Sequence, residues 1–297
     1  MSMRNFEYHE PETLGEACLL LKGYGAAARV FAGGTHLTVL MKQGLVRPGA
    51  LINLKKIPGL KGIVWHPGKG LTIGTLVTHH ELETSSLVQR VWPFLSRVAR
   101  EVGNIRVRTM GTVGGNLASG EPLTDLPCAL LSLGSVVSVM GPSGGRSIAL
   151  EDFFVDYYET VLAEDEILTE VVVPPLPPRT GFEYIRFTAG SVMDRPSVGV
   201  SARLSLEPQG LACREVRVSL GCVSSTPMRA RDAERALEGQ DWGPDALEDA
   251  AASAARECSP LDDLRGSARY KREMVRVLVR DALSMAHERA NTGGKEP

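Results

Sequence analysis

A glycine-rich stretch near the middle of the chain constrains its fold more than any other feature. The segment 107-VRTMGTVGGNLASGEPLTDLP-127 holds four glycines and one asparagine amid apolar sequence, with almost no cationic side chain. A second glycine pair stands in 32-AGGTH-36. Because adjacent glycines adopt backbone angles that other residues avoid, successive N–H groups in such loops can converge on an anion. Each loop also has a threonine in or beside it, whose hydroxyl group is a further donor.

The residues alone leave two interpretations of these loops open. Neither loop matches the dinucleotide fingerprint G-x-G-x-x-G or the P-loop G-x-x-x-x-G-K-[ST], so the Rossmann and NTPase classes are disfavoured. An ordinary turn explains either glycine pair taken by itself. The presence of two such loops, each with a threonine, favours instead a grip on the two halves of a pyrophosphate.

Size and composition exclude several classes of protein. A chain of 297 residues that is 43% hydrophobic can fill two domains, and its net charge of −2 argues against nucleic-acid binding. Apolar runs such as 128-CALLSLGSVVSVM-140 are too short to span a bilayer, and the N-terminus lacks the pattern of a signal peptide. Five scattered cysteines without a C-x-x-C pair predict buried free thiols in the cytoplasm and no metal site.

Residue periodicity predicts an α+β domain to about residue 175, the proline-rich linker 174-PPLPP-178, and a smaller domain with an antiparallel sheet that has one solvated face. Thr78 and Glu81 form a capping-box pattern that should open a short helix through Leu87. Strands are predicted at 28–32, 51–54, 71–73, 135–140, 166–174, 181–188, 197–206 and 214–221. Helices are predicted at 11–22, 37–44, 92–102, 126–133, 245–255 and 268–290.

Several motifs, in order, resemble one known family, and the match runs over nearly the whole chain. They are F-x-Y-x-x-P-x-T-L-x-E-A from Phe6, 32-AGGTH-36, 71-LTIGTLVTHHEL-82, 112-TVGGNLASGEPLTDLP-127, 165-DEILTEVVVP-174 and 262-DDLRGSARYKREM-274. This order is similar to that of the FAD-binding medium subunit of the molybdenum hydroxylases, the family of the aerobic carbon monoxide dehydrogenase medium chain and the flavin domain of xanthine dehydrogenase. The cysteine-rich insertion of the 4-hydroxybenzoyl-CoA reductase branch is absent from the sequence.

The resemblance implies the fold and the cofactor. The fold is an α+β, PCMH-type FAD-binding domain of two subdomains at 1–175, followed by a smaller C-terminal domain of antiparallel sheet and helices at 179–289. Two loops would wrap the FAD pyrophosphate, and three further residues would contact the cofactor elsewhere. The implied cofactor-binding residues are Ala32, Gly33, Gly34, Thr35, His36, Thr112, Val113, Gly114, Gly115, Asn116, Asp125, Leu168 and Arg186.

The last three residues each have a simpler explanation beside the one that the resemblance implies. Asp125 would meet the ribose or adenosine side, or would only cap the helix from Leu126. Leu168 would pack on the adenine, or would only fill the core. Arg186 would stand near the flavin, or would be a solvated strand residue. The chain also departs from the family: His36 stands where relatives often carry Asp or Ser, and 194-DRPSV-198 lacks an aromatic residue after its aspartate.

The function implied is electron transfer within a heterotrimer, likewise from the resemblance. A large subunit would hold a molybdenum–pterin centre and a small subunit two [2Fe-2S] clusters, and the FAD of this chain would pass their electrons to an outside acceptor. Such trimers would pair into a dimer of heterotrimers. One alternative is a self-contained FAD-dependent oxidoreductase of the same fold, although the sequence shows no acid–base constellation. The other alternative is a non-catalytic nucleotide-binding or assembly module.

Overall fold

The protein folds around three larger sheets, each with its own hydrophobic core, and the short strands Phe154–Asp156 and Glu159–Thr160 form a further two-stranded sheet. The computed structural model describes residues 5–191, 194–210 and 212–292. The strands are β1 Glu7–His9, β2 Ala28–Phe31, β3 Ala50–Asn53, β4 Ile63–His66, β5 Gly70–Gly74, β6 Val136–Gly141, β7 Gly144–Ala149, β8 Phe154–Asp156, β9 Glu159–Thr160, β10 Ile167–Val173, β11 Thr180–Phe187, β12 Val198–Leu206, β13 Cys213–Gly221 and β14 Met228–Arg229. The helices are α1 Leu14–Tyr24, α2 Leu37–Gln43, α3 His79–Thr84, α4 Ser86–Val91, α5 Pro93–Glu101, α6 Ile105–Arg108, α7 Val113–Ala118, α8 Leu126–Ser132, α9 Arg231–Leu237, α10 Pro244–Glu257 and α11 Ala268–Asn291.

The first subdomain is a parallel sheet of three strands in the order β1-β3-β2, covered by α1. Thr13 caps α1, because its hydroxyl oxygen accepts a hydrogen bond from the N–H of Glu16 at 3.1 Å. Ala17, Cys18 and Leu21 lie on the buried side of this helix. The strand β2 ends at the first glycine loop, so this sheet fixes where that loop begins.

The second subdomain is an antiparallel sheet in the order β4-β5-β10-β6-β7, packed against helices α3 to α8. The capping box at Thr78 and Glu81 is confirmed, since each side chain bonds the backbone N–H of the other residue. The expected helix through Leu87 is wrong. The helix α3 ends at Thr84, because Ser85 leaves helical geometry (φ −63°, ψ 117°) and caps the separate helix α4.

The C-terminal domain is an antiparallel sheet in the order β11-β12-β13-β14, with α9, α10 and α11. The predicted solvated face is wrong, because every residue of β12 is buried. The helix α8 of the second subdomain covers the face that α11 leaves free. Polar residues suggested solvent on that face, but they bond across the interface: the Ser132 and Ser201 hydroxyls lie 2.7 Å apart, and the Cys128 thiol donates to the Ser219 carbonyl at 3.3 Å.

The predicted fold class is confirmed: two α+β subdomains precede a smaller domain of antiparallel sheet and helices. All five cysteines are buried free thiols, as their scatter predicts. The helix α11 has 24 residues, but charged side chains recur along it. Within the described ranges, no helix is both long and apolar enough to cross a membrane.

Candidate functional site

The first glycine loop follows β2 and leads into α2 in a shape that requires both of its glycines. Gly34 has φ +71°, and a Cβ there would lie 2.6 Å from the Phe31 ring. A Cβ on Gly33 would lie 2.0 Å from the carbonyl oxygen of Met110, at the edge of the second loop. The two loops that the sequence singles out are therefore in contact.

The first loop offers backbone donors that the rest of the described chain does not use. Among the residues that the structure describes, none accepts a hydrogen bond from the N–H groups of Gly34, Thr35 or His36. The carbonyl oxygens of Gly34 and His36 accept hydrogen bonds from N–H groups at the start of α2, so the carbonyl groups of these residues are already in use. Three consecutive donors without a described acceptor can serve an anionic ligand.

The second loop is the start of the helix α7 rather than a turn, and the N–H groups of residues 113–116 have partners. Thr112 caps the helix by accepting from the N–H of Gly115 at 3.1 Å. The N–H of Val113 donates to Val77 at 2.8 Å, and that of Gly114 donates to Thr75 at 3.0 Å. Unlike the first loop, the second loop therefore has few backbone N–H groups left for a ligand.

The two glycines of α7 are present for different steric reasons, and neither has a positive φ. A Cβ on Gly114 would lie 1.7 Å from the hydroxyl oxygen of Thr75, so this glycine allows the helix to touch the loop after β5. A Cβ on Gly115 would meet only the Thr112 hydroxyl, at 2.9 Å. Gly115 is thus an exposed surface without a side chain, to which a ligand can approach closely.

Asn116 carries an orphaned polar atom beside this surface. Its side-chain oxygen Oδ1 is buried and has no hydrogen-bond partner among the described residues. Buried polar atoms in native proteins nearly always have a partner, so an unpaired one indicates a missing ligand or water. The free N–H groups of the first loop, the bare face of Gly115 and the unpaired Asn116 together fit a bound phosphate-bearing group.

Asp125 and Arg186 lie side by side in the structure, where they form an ion pair with each other. Asp125 precedes α8 without capping it, so the simpler explanation fails. Its carboxylate accepts instead from the Tyr184 hydroxyl at 2.8 Å and from Nε of Arg186 at 2.9 Å. Burial raises the pKa of Asp125 to about 6, and the guanidinium of Arg186 only partly offsets that rise. The pair links the second subdomain to the C-terminal domain.

Leu168 lies in β10, and its side chain is in the core, 3% exposed. The pairing of β10 with β6 shifts register between Leu168 and Glu170. The intervening Thr169 accepts a hydrogen bond from the N–H of Thr75 at 2.9 Å, in the loop that contacts Gly114. Leu168 is therefore next to the residues that support the second loop, and its side chain stabilises the core there.

Sequence reasoning missed a charged cluster that joins the first loop to the C-terminal domain. Glu121 is only 4% exposed, and its Oε2 lies 3.8 Å from Nε2 of His36 and 2.5 Å from Nη1 of Arg195. The Tyr158 ring is 5.9 Å from that of His36. Arg195 also lines a cavity of about 530 Å³ in the C-terminal domain. No spacing in the sequence connects residues 36, 121 and 195, so only the fold could reveal this cluster.

His79 is a second residue whose place the sequence did not reveal. His79 is 3% exposed, and its backbone N–H donates to the carbonyl of Gly111 at 3.0 Å. This hydrogen bond helps to hold the residues just before the second loop. Burial, together with the nearby Arg108, lowers the pKa of His79 to about 4. The imidazole is therefore neutral at physiological pH and serves as a packing residue beneath the site.

Comparison with known proteins identifies the class to which this fold and site belong. Residues 4–176 match the family described as the FAD binding domain in molybdopterin dehydrogenase, and residues 186–286 match the CO dehydrogenase flavoprotein C-terminal domain. The chain belongs to this family of FAD-binding medium subunits of molybdenum hydroxylases. The two matched domains follow one another along the chain, the FAD-binding domain first and the C-terminal domain second.

Individual relatives span the whole chain. The carbon monoxide dehydrogenase medium chain of Hydrogenophaga pseudoflava is 33% identical over 96% of this chain and 98% of its own length. The nicotine 6-hydroxylase medium subunit of Paenarthrobacter nicotinovorans is 32% identical over 97% of this chain and 100% of its own. The solved carbon monoxide dehydrogenase of H. pseudoflava that lacks the Mo-pyranopterin moiety matches with a TM-score of 0.93 at 34% identity, covering 97% of this chain and 99% of the other.

Proposed function

We propose that this chain is the flavin-bearing subunit of a heterotrimeric molybdenum hydroxylase. In this proposal, its FAD receives electrons from two [2Fe-2S] clusters of a small subunit and delivers them to an external acceptor. A large subunit with a molybdenum–pterin centre oxidises the substrate, and two trimers associate. The observation that carries the proposal is the coincidence of the family match with the unpaired donors at Gly34, Thr35 and His36 beside the bare face of Gly115.

The residues of this chain would hold the cofactor as follows. The three free N–H groups of the first loop would donate to the pyrophosphate oxygens, which the hydroxyl of Thr35 could also reach. The bare face of Gly115 would let the phosphates approach α7 closely, and the side chain of Asn116 would gain the partner it lacks. FAD, when bound, supplies redox chemistry, and the protein supplies its position and its electrostatic surroundings.

Asp125 and Arg186 have a different role in this proposal from the one that the resemblance implied. Each is already bonded to the other, and Arg186 also donates to the carbonyl of Asp194. The pair would hold the C-terminal domain at a fixed place beside the cofactor, with contact to the adenosine or flavin as an addition. Leu168 would support the adenine end through the packing of β10 against β6.

The metal centres belong to partner subunits in this proposal. The relatives are named medium chains or FAD-binding subunits, names that indicate assembly with other chains. The solved carbon monoxide dehydrogenase of H. pseudoflava was obtained without the Mo-pyranopterin moiety of its molybdenum cofactor, so that enzyme is one that uses such a cofactor. The five cysteines of this chain are each buried and scattered along the sequence. A cytoplasmic location for the complex stays a prediction from the sequence.

The test is turnover with and without partners. The purified chain should bind FAD and should oxidise no carbon monoxide, purine or aromatic aldehyde by itself. Addition of its large and small subunits should restore substrate-dependent reduction of a dye. Steady turnover by the isolated, metal-free chain would overturn the proposal and would favour a self-contained flavin oxidoreductase of the same fold.

A further inference from the structure

The first glycine loop lacks a cation of its own, although its proposed ligand carries two negative charges. The segment 32-AGGTH-36 contains no lysine or arginine. The fold brings the cation from the C-terminal domain instead. Arg195, 48% exposed at its side chain, pairs with the buried Glu121, and Glu121 in turn lies 3.8 Å from His36 at the end of the loop.

The negative charge of Glu121 would repel a phosphate unless another group compensated it. Its carboxylate is 4% exposed, so water screens it little. It also accepts from the N–H of Leu123 at 3.2 Å, which fixes its orientation. Arg195 neutralises this carboxylate, and its guanidinium and the His36 ring both approach the same oxygen, Oε2. His36 belongs to the first loop, next to its free N–H groups, so a proton on its ring would attract an incoming anion.

We propose that His36, Glu121 and Arg195 form a clasp that closes the C-terminal domain on the pyrophosphate loop, and that His36 takes up one proton when the dinucleotide binds. The inference rests on the proposed function, and it adds two binding determinants, Glu121 and Arg195, that lie outside both glycine loops. Arg195 offsets the negative charge of Glu121 beside the first loop, His36 supplies the positive charge that faces the phosphates once it is protonated, and Glu121 holds Arg195 and His36 in place.

The direction of the proton linkage follows from the groups that face His36. Burial lowers the pKa of His36, Glu121 opposes that effect, and Arg195 adds to it. Tyr158 also faces the ring, but burial raises the pKa of its hydroxyl, so it stays neutral. A pyrophosphate beside the loop would add negative charge and raise the pKa of His36, by about 1–3 units for a charge within several ångströms. FAD should therefore bind more tightly at the lower pH, where His36 accepts its proton easily.

The test is a titration of the full chain, stripped of flavin, with FAD at pH 6 and at pH 8. Flavin fluorescence monitors the binding and gives the Kd. The Kd should rise roughly tenfold from pH 6 to pH 8, because one unit of pKa shift corresponds to a tenfold change in affinity. His36→Gln should remove that dependence. Riboflavin, which lacks phosphates, should bind with the same weak Kd at both values of pH.

Arg195→Met tests the other half of the clasp against a matched control. Arg276 is also half exposed (49%) and also pairs with a glutamate, Glu248, but on the far helix α11. Arg195→Met should weaken FAD binding at least tenfold, Arg195→Lys should restore part of it, and Arg276→Met should leave it unchanged. A wild-type Kd that is equal at both pH values, or unchanged in folded Arg195→Met, would overturn the clasp and leave the proposed function intact. A folded wild-type chain that binds no FAD at either pH would overturn the proposed function and the clasp with it.

Discussion

Two neighbouring glycines of α7 allow the fold and the cofactor site to be perturbed separately. A single methyl group added at Gly114 would lie 1.7 Å from the Thr75 hydroxyl and 2.9 Å from the Thr75 Cα, so the loop after β5 would have to move. The same methyl group at Gly115 would meet only the Thr112 hydroxyl, at 2.9 Å. The two substitutions are chemically identical and adjacent, but they point into opposite environments.

The magnitudes follow from these contacts. Overpacking in a close-packed region costs about 1–3 kcal/mol, and the backbone contact at Gly114 places Gly114→Ala at the upper end. Since about 1 kcal/mol shifts Tm by roughly 2–4 °C in a domain of this size, Gly114→Ala should lower Tm by roughly 6–12 °C. Gly115→Ala gains up to about 1 kcal/mol of helix propensity and disturbs the cap slightly, so its Tm should stay within about 4 °C of wild type.

The binding effect should follow the opposite order. Gly115→Val places a branched side chain where the proposed pyrophosphate approaches, and a steric cost of about 1–3 kcal/mol weakens binding roughly 5- to 150-fold. Differential scanning calorimetry gives the stability, and fluorescence titration with FAD gives the affinity. A Gly115→Val protein with wild-type melting behaviour and wild-type FAD content would refute the proposal that phosphate lies against α7.

Two further predictions concern the cofactor linkage and the domain interface. FAD should be bound without a covalent bond, because no histidine or cysteine stands in a recognised flavin-linking motif; acid precipitation should leave all of the flavin in the supernatant, and a yellow pellet would contradict this. The raised pKa of Asp125, about 6, means that the folded state binds the proton more tightly than the unfolded state. Its contribution to stability is therefore full below about pH 4 and is lost as the pH rises through 6. Urea unfolding at pH 5 and pH 7.5 should show wild type gaining about 1–2 kcal/mol relative to Asp125→Asn at the lower pH. An equal difference at both pH values would show that Asp125 is ionised throughout.

The sequence predicted the positions of the main elements because their signals are local. The capping box at Thr78 and the runs that form β10 and β12 each depend on a few neighbouring residues. The burial of both faces of β12 depends instead on α8, which lies in another part of the chain. A serine such as Ser201 has the same appearance in the sequence whether it faces solvent or a hydroxyl partner, so the solvated face was mispredicted.

In the candidate site, too, the local features could be predicted from the sequence and the long-range contacts could not. The fold brings the two glycine loops into contact, but the sequence did not reveal why the second one needs its glycines, because a glycine needed for close approach cannot be told from one needed for a turn. Gly114 meets Thr75, a contact that the spacing of the motif does not encode. The pairing of Asp125 with Arg186, and that of Glu121 with Arg195, each cross from one domain to the other. Long-range ion pairs of this kind appear only when the fold is known.

The central claim is tested most directly by the composition of the protein as it occurs in its native cell. The chain should be purified through a tag on the chromosomal copy, and its companion chains, flavin and metals should be measured together. We expect one FAD per chain, one large and one small companion chain, and one molybdenum with about four iron atoms, as two [2Fe-2S] clusters require. A yellow protein that purifies alone, without molybdenum or iron, and still turns over an oxidisable substrate would contradict the claim.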